Sequence, residues 1–124
     1  MSEKVMSEKA PAAIGPYSQA VIAGGMVYTS GQIAITPSSG EVEAVGIAEQ
    51  TRQICRNLKA VLEAAGSSLD RAVKTTCYLS DMADFSEFNA VYAEYFTNKP
   101  ARSCVAVKAL PKGVLAEVDV IAEI

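Results

Sequence analysis

The sequence predicts one α+β domain in which two helices pack on one face of a sheet. Three observations point to it. Val- and Ile-rich stretches alternate with period two, at residues 20–30, 73–79 and in the last quarter of the chain. Two longer stretches place apolar residues at steps of three and four instead. The elements follow one another as hairpin, helix, strand, helix, strand, strand, with no repeat or linker between them. At 124 residues and 50% hydrophobic composition, residues 1–124 suffice for a single core without staples.

Met1-Ser2-Glu3-Lys4 recurs as Met6-Ser7-Glu8-Lys9, which leaves two candidate starts and marks residues 1–9 as an expected frayed end. Gly15-Pro16 then sets a turn that leaves Tyr17 at the mouth of the first strand, free to face either way. Ala20-Val21-Ile22-Ala23, Gly24-Gly25 and Met26-Val27-Tyr28-Thr29-Ser30 form a hairpin, because Gly-Gly tolerates the positive φ of a primed two-residue turn. Gly31 follows; it marks either a bulge or a backbone that a ligand or another chain approaches closely. Residues 33–35 suggest a short further strand, and Thr36-Pro37-Ser38-Ser39-Gly40 a loop.

From about Gly46, Ile47, Ile54, Cys55, Leu58, Val61, Leu62 and Ala65 recur at helical spacing, and Gly66 supplies the cap. Val73, Thr75, Cys77 and Leu79 alternate as a strand that stops at Asp81, an N-cap for the next segment. Phe85, Phe88, Tyr92, Tyr95 and Phe96 make a second amphipathic helix to about Thr97, with its aromatic stripe in the core. Asn89, four residues after Phe85, shares or borders that buried face, where its amide needs partners.

The last quarter reads as two strands and a turn. Ser103, Val105 and Val107 share one face of the first strand; Arg102, Cys104 and Ala106 share the other. Small apolar residues on both strand faces, such as Cys104, Ala106, Ala116 and Ala122, suggest that the sheet face without helices is buried against other subunits.

Composition excludes several chemistries. The chain has no histidine, which removes Ser-His-Asp and Cys-His catalysis and every His-ligated metal site. Eleven basic against 14 acidic residues give a net charge of −3, and no basic run tracks a phosphate backbone, so nucleic acid is a poor partner. Cys55, Cys77 and Cys104 are an odd, unclustered set that reads as reduced core thiols, hence a cytoplasmic location. No apolar run reaches the roughly 20 residues of a membrane span.

Arg102 and Glu117 carry the charge of the last quarter. Each is open to a bland reading, as a surface ion-pair residue and a solvated strand residue. Beside small apolar neighbours, however, the planar fork of Arg102 suits bidentate capture of a carboxylate, and Glu117 is then available to accept a proton or orient water. Joined by the connector around Pro111-Lys112-Gly113, their strands are expected to pair antiparallel and to hold the two residues roughly 20 to 25 Å apart, at opposite ends. A site using both must cross a subunit boundary.

Taken together, Ala13-Ile14-Gly15-Pro16-Tyr17-Ser18-Gln19-Ala20, Ser30-Gly31-Gln32, Asn57-Leu58-Lys59-Ala60, Asp81-Met82-Ala83-Asp84-Phe85 with Asn89, Pro100-Ala101-Arg102-Ser103-Cys104-Val105 and Leu110-Pro111-Lys112-Gly113 closely resemble the RidA family of reactive enamine/imine deaminases, also called YjgF or L-PSP proteins. The resemblance runs from about Ala10 to Ile124. It implies a chorismate-mutase-like (YjgF-like) α+β protomer: a mixed sheet with two helices packed on one face, forming a homotrimer through the other. It also implies hydrolysis of 2-enamino and 2-imino acids, such as 2-aminoacrylate and 2-iminobutanoate, to 2-oxo acids and ammonia in clefts between subunits, with no cofactor or metal. By motif position Arg102 corresponds to the carboxylate-binding arginine and Glu117 to the water-orienting glutamate. Tyr17, Ser30, Gly31, Asn89 and Cys104 fall on substrate-binding positions in the cleft, Cys104 mainly through its backbone. Ala116 and Asp119 depart from the pattern, where a larger aliphatic and a glutamate are expected. Two other functions stay open: a trimer that senses 2-oxo acids without turnover, and an endoribonuclease or translation inhibitor, which the acidic charge disfavours.

Overall fold

A computed structural model of the protein describes residues 2–124. Its strands are β1 (Glu3–Val5), β2 (Ala20–Ala23), β3 (Met26–Thr29), β4 (Ala72–Leu79), β5 (Ala101–Ala106) and β6 (Ala116–Glu123); the helices are α1 (Gly46–Ala64) and α2 (Phe85–Tyr95). The six strands form one mixed sheet in the order β1-β2-β3-β6-β4-β5, as the α+β expectation required.

Local chemistry accounts for most boundaries. Gly24 and Gly25 take φ values of 58° and 76°, the paired positive angles that turn β2 into β3. Gly66 takes φ 86° past the end of α1, and the amide of Ser67 beyond it donates to the Leu62 carbonyl at 2.8 Å. Asp81 accepts from the Ala83 amide at 2.9 Å, capping a short 3-10 turn that leads into α2. That helix stops at Tyr95, two residues before the predicted end. Residues 33–35 form no strand; they lie between two isolated bridges, Gln32 to Val118 and Thr36 to Glu41.

The core lies between the helices and one sheet face. Ile54, Leu58, Val61 and Leu62 of α1 and Phe88 of α2 are fully buried, together with Val27, Cys77, Leu79, Val118 and Val120 from the sheet. The opposite face carries no helix and leaves Tyr28 45% and Val105 47% exposed within one chain.

Two expectations are corrected. The N-terminus is not frayed over residues 3–5, because β1 pairs antiparallel with β2, from Glu3 opposite Ile22 to Val5 opposite Ala20, and Val5 is buried. Met1 lies outside the described residues. The second correction concerns the last quarter: β5 and β6 are not a paired hairpin, because β4 lies between them, parallel to β5 and antiparallel to β6. A parallel pair needs a crossover, which α2 supplies between β4 and β5. Residues 107–115 then step over the end of β4. The Val107 amide donates to Leu79 there at 2.9 Å, and the Ser80 amide to Leu115 at 3.0 Å.

What holds the N-terminal segment against the sheet is Gln19, only 2% exposed. Its Oε1 accepts from the Ser7 amide at 2.6 Å, and its Nε2 donates to the carbonyls of Ser7 and Pro11 at 3.1 and 2.7 Å. Gln19→Ala strands these groups and is expected to cost about 1–3 kcal/mol. Urea unfolding measures the loss, and amide exchange at Ser7 should accelerate with it.

Candidate functional site

Pairing register decides where each candidate points. Residues directly opposite across neighbouring strands share a face, and successive residues alternate. Arg102 stands opposite Thr75, which stands opposite Val120, so its side chain lies on the helix-covered face. Glu117 stands opposite Tyr78, which in turn is opposite Val105, on the open face. Three residues along β4 and two strand spacings across separate the two backbones, about 14 Å, with the side chains directed to opposite sides. The expected 20 to 25 Å assumed a direct hairpin; the insertion of β4 replaces it. The two residues still do not meet within one chain.

Phe85, Asn89 and Tyr92 fall on one face of α2 and receive Arg102. Its Nη1 donates to Asn89 Oδ1 at 2.6 Å. Its guanidinium carbon lies 4.8 Å from the Tyr92 ring centroid and 5.6 Å from that of Phe85. Beneath the sheet-facing end of the Tyr92 ring, the phenol oxygen and Thr75 Oγ1 share a buried hydrogen bond of 2.7 Å. Among the described residues the ion pairs are Arg52–Glu49, Arg52–Glu94 and Lys59–Glu63, so Arg102 has no carboxylate partner. Asn89, Tyr92, Lys99, Pro100 and Arg102 line a cavity of about 460 Å³.

Cys104 lies two residues along β5 on the same face as Arg102, opposite Cys77. Burial raises its thiol pKa, partly offset by the nearby Arg102, and pushes that of Cys77 up to about 12. Both thiols are thus held protonated at neutral pH, which disfavours nucleophilic chemistry at either.

Glu117 belongs to a second cavity, of about 350 Å³, with Tyr17, Gly31, Ile33, Ile35 and Pro111 among its walls. Its carboxylate lies directly over Gly31, where an added Cβ would overlap the carboxylate and lie 2.8 Å from Cδ. Of the two readings of Gly31, the close approach is the one realised, by a side chain of the same protein. Ser30 holds this corner from below: its hydroxyl donates to the Ser18 carbonyl at 2.6 Å and its amide to Gln19 at 2.9 Å. From α1, Asn57 Nδ2 donates to the carbonyls of Ile33 and Ile35 at 3.2 and 2.9 Å and so fixes the wall opposite.

The predicted residues therefore fall into two sets. Arg102, Asn89 and Cys104 gather around β5 and α2; Tyr17, Gly31 and Glu117 gather around the end of β3, with Ser30 beneath them. Tyr92, read only as core, and the pin Asn57 were missed as site residues. The helical step of seven from Phe85 to Tyr92, with Asn89 between, is the signal that places Tyr92 beside Asn89.

Comparison with known proteins bears on the family and the fold. A family model described as Endoribonuclease L-PSP matches residues 7–124. A RutC family protein of Pyrococcus horikoshii is 53% identical over 123 residues, covering 98% of both chains. The 2-iminobutanoate/2-iminopropanoate deaminase of Escherichia coli K12 is 49% identical over 126 residues, again covering 98% of each. A 1.2 Å crystal structure of the E. coli YjgF gene product superposes with a TM-score of 0.93 at 47% identity and 98% coverage of both chains.

The electrostatics of the open face can be tested by pH. Burial raises the pKa of Glu117, and Asp119 adds to the shift. Asp119 is likewise raised by burial, although Tyr78, whose hydroxyl donates to Asp119 Oδ2 at 3.2 Å, works against it. Between the ordinary carboxylate range and these raised values the folded chain binds protons more tightly than the unfolded one. Stability therefore falls as pH rises through that window. The variant Glu117→Gln/Asp119→Asn should melt above wild type at pH 7, with the gap closing as pH drops below the ordinary carboxylate range. Thermal melts across pH 3 to 8 measure it.

Proposed function

We propose, from the premise that this chain belongs to the L-PSP (RidA/YjgF) family, that it hydrolyses 2-imino and 2-enamino acids to 2-oxo acids and ammonia in clefts shared between copies of itself. The observation that carries this reading is Arg102: a permanently charged fork, half-buried on a strand, held by an amide and two rings and by no carboxylate. Such a group is prepared for an external carboxylate, which it can take bidentately.

The chemistry then needs little more. An enamine tautomerises to its imine, and a protonated imine carbon is electrophilic. Water adds to that carbon, giving a carbinolamine, and collapse to the 2-oxo acid releases ammonia. Binding through the carboxylate holds the carbon near a bound water. Glu117, whose raised pKa brings it nearer neutrality, orients that water or accepts its proton.

Within one chain Arg102 and Glu117 face opposite sides of the sheet, so the reaction requires the Arg102 set of one copy to meet the Glu117 set of another. The helix-free face, with Tyr28 and Val105 exposed, supports assembly through that side, and a homotrimer with three clefts is the arrangement proposed. The free thiols Cys55, Cys77 and Cys104 suit the cytoplasm.

A threonine dehydratase supplying 2-iminobutanoate tests the activity, with 2-oxobutanoate formation as the readout. Wild type should accelerate its appearance. Arg102→Ala should leave the spontaneous rate, and Glu117→Gln should lower the enzymatic rate by about 10²-fold or more. Equal traces with and without the protein overturn the proposal, and 2-oxobutanoate binding without turnover turns it into a sensor. Native mass should correspond to three chains; a fully active monomer sinks the shared cleft.

A further inference from the structure

We propose that Tyr92 and Phe85 are positioning residues for Arg102: an aromatic platform that holds the guanidinium in place without neutralising it. This rests on the reading of Arg102 as the carboxylate-binding group.

An arginine on an edge strand samples many rotamers unless something holds it. The strongest holder, a carboxylate, would cancel the charge that a carboxylate substrate needs. Here every holder is neutral. Asn89 takes one N–H of the five that a guanidinium offers, and the Tyr92 ring takes the face of the cation at 4.8 Å, with Phe85 at 5.6 Å. The remaining donor edge is left for a ligand.

The platform is itself fixed. Phe96 stacks on the Tyr92 ring at 4.6 Å between centroids and 21° between planes, and Phe88 lies 5.8 Å away. At its far end the phenol oxygen meets Thr75 Oγ1, and Thr75 is fully buried on the strand that pairs directly with Arg102. One strand position thus supports Arg102 twice, through β4–β5 pairing and through the ring of Tyr92. Packing alone would be satisfied by a leucine at residue 92; a cation platform would not.

Calorimetric titration of the full chain with 2-oxobutanoate, together with KM and kcat in the dehydratase-coupled assay, separates these roles. Tyr92→Leu is expected to weaken 2-oxobutanoate binding about tenfold and to raise KM similarly, while kcat stays within about threefold. Tyr92→Phe keeps the ring and should stay within about threefold of wild type in both. If folded Tyr92→Leu binds within about twofold of wild type, or loses kcat alone, the platform is refuted. If Tyr92→Leu gives no cooperative melt, half-buried Phe85→Leu decides: weaker binding with kcat kept supports the platform, and wild-type binding overturns it. Arg102→Ala separates the two claims. Should it bind 2-oxobutanoate as tightly as wild type, the carboxylate-site reading falls and the platform with it. If Arg102→Ala loses binding and the aromatic variants keep it, only the platform falls.

Discussion

With β4 lying between β5 and β6, the two charged strands of the last quarter are held two spacings apart and in a register that sends Arg102 and Glu117 to opposite faces. Alternation in a sheet leaves no freedom here, since a shift of one residue would move the buried side chains of β4 to the open face. Thr75, Cys77 and Leu79 are all buried, so the register is strongly specified. The separation of the two candidate sets follows from core packing, before any ligand is considered.

The halves differ in how they manage charge. Around Arg102 the cation is held by groups that leave it uncompensated. Around Glu117 burial and the neighbouring Asp119 make ionisation unfavourable. The second arrangement costs the isolated chain some stability at neutral pH, and under the proposed function the first group is open to an anion and the second to a proton or water. The polar residues that support these groups, Asn89, Asn57 and Gln19, have their partners within the chain.

Legibility in the sequence tracked the range of the interaction involved. The Gly24-Gly25 turn, the end of α1 at Gly66 and the cap at Asp81 depend on neighbours a few residues away, and the sequence reading placed all three. β1 was missed because three residues, two of them charged, carry almost no alternation signal; only pairing with β2 and burial of Val5 make them a strand. The connector at 107–115 reads as a turn because Pro111-Lys112-Gly113 has turn chemistry, although its length is enough to step over a strand. Tyr92 was read correctly as buried, but burial concealed its second contact, since helical periodicity reports which face is covered and not what lies across from it.

By itself, the sequence determined the class of the fold, the extents of its main elements and the absence of histidine chemistry, and through motif position it singled out Arg102 and Glu117 as candidates. Only the tertiary structure decided which residues stand together: Arg102 with Asn89, Tyr92 and Phe85; Glu117 with Gly31 and Tyr17. The physical reason lies in strand order. Elements are written locally in the chain, but the choice of β4 over β5 as the neighbour of β6 is made by long-range pairing and by the helices packed above it, and that choice sets the face on which each charge emerges.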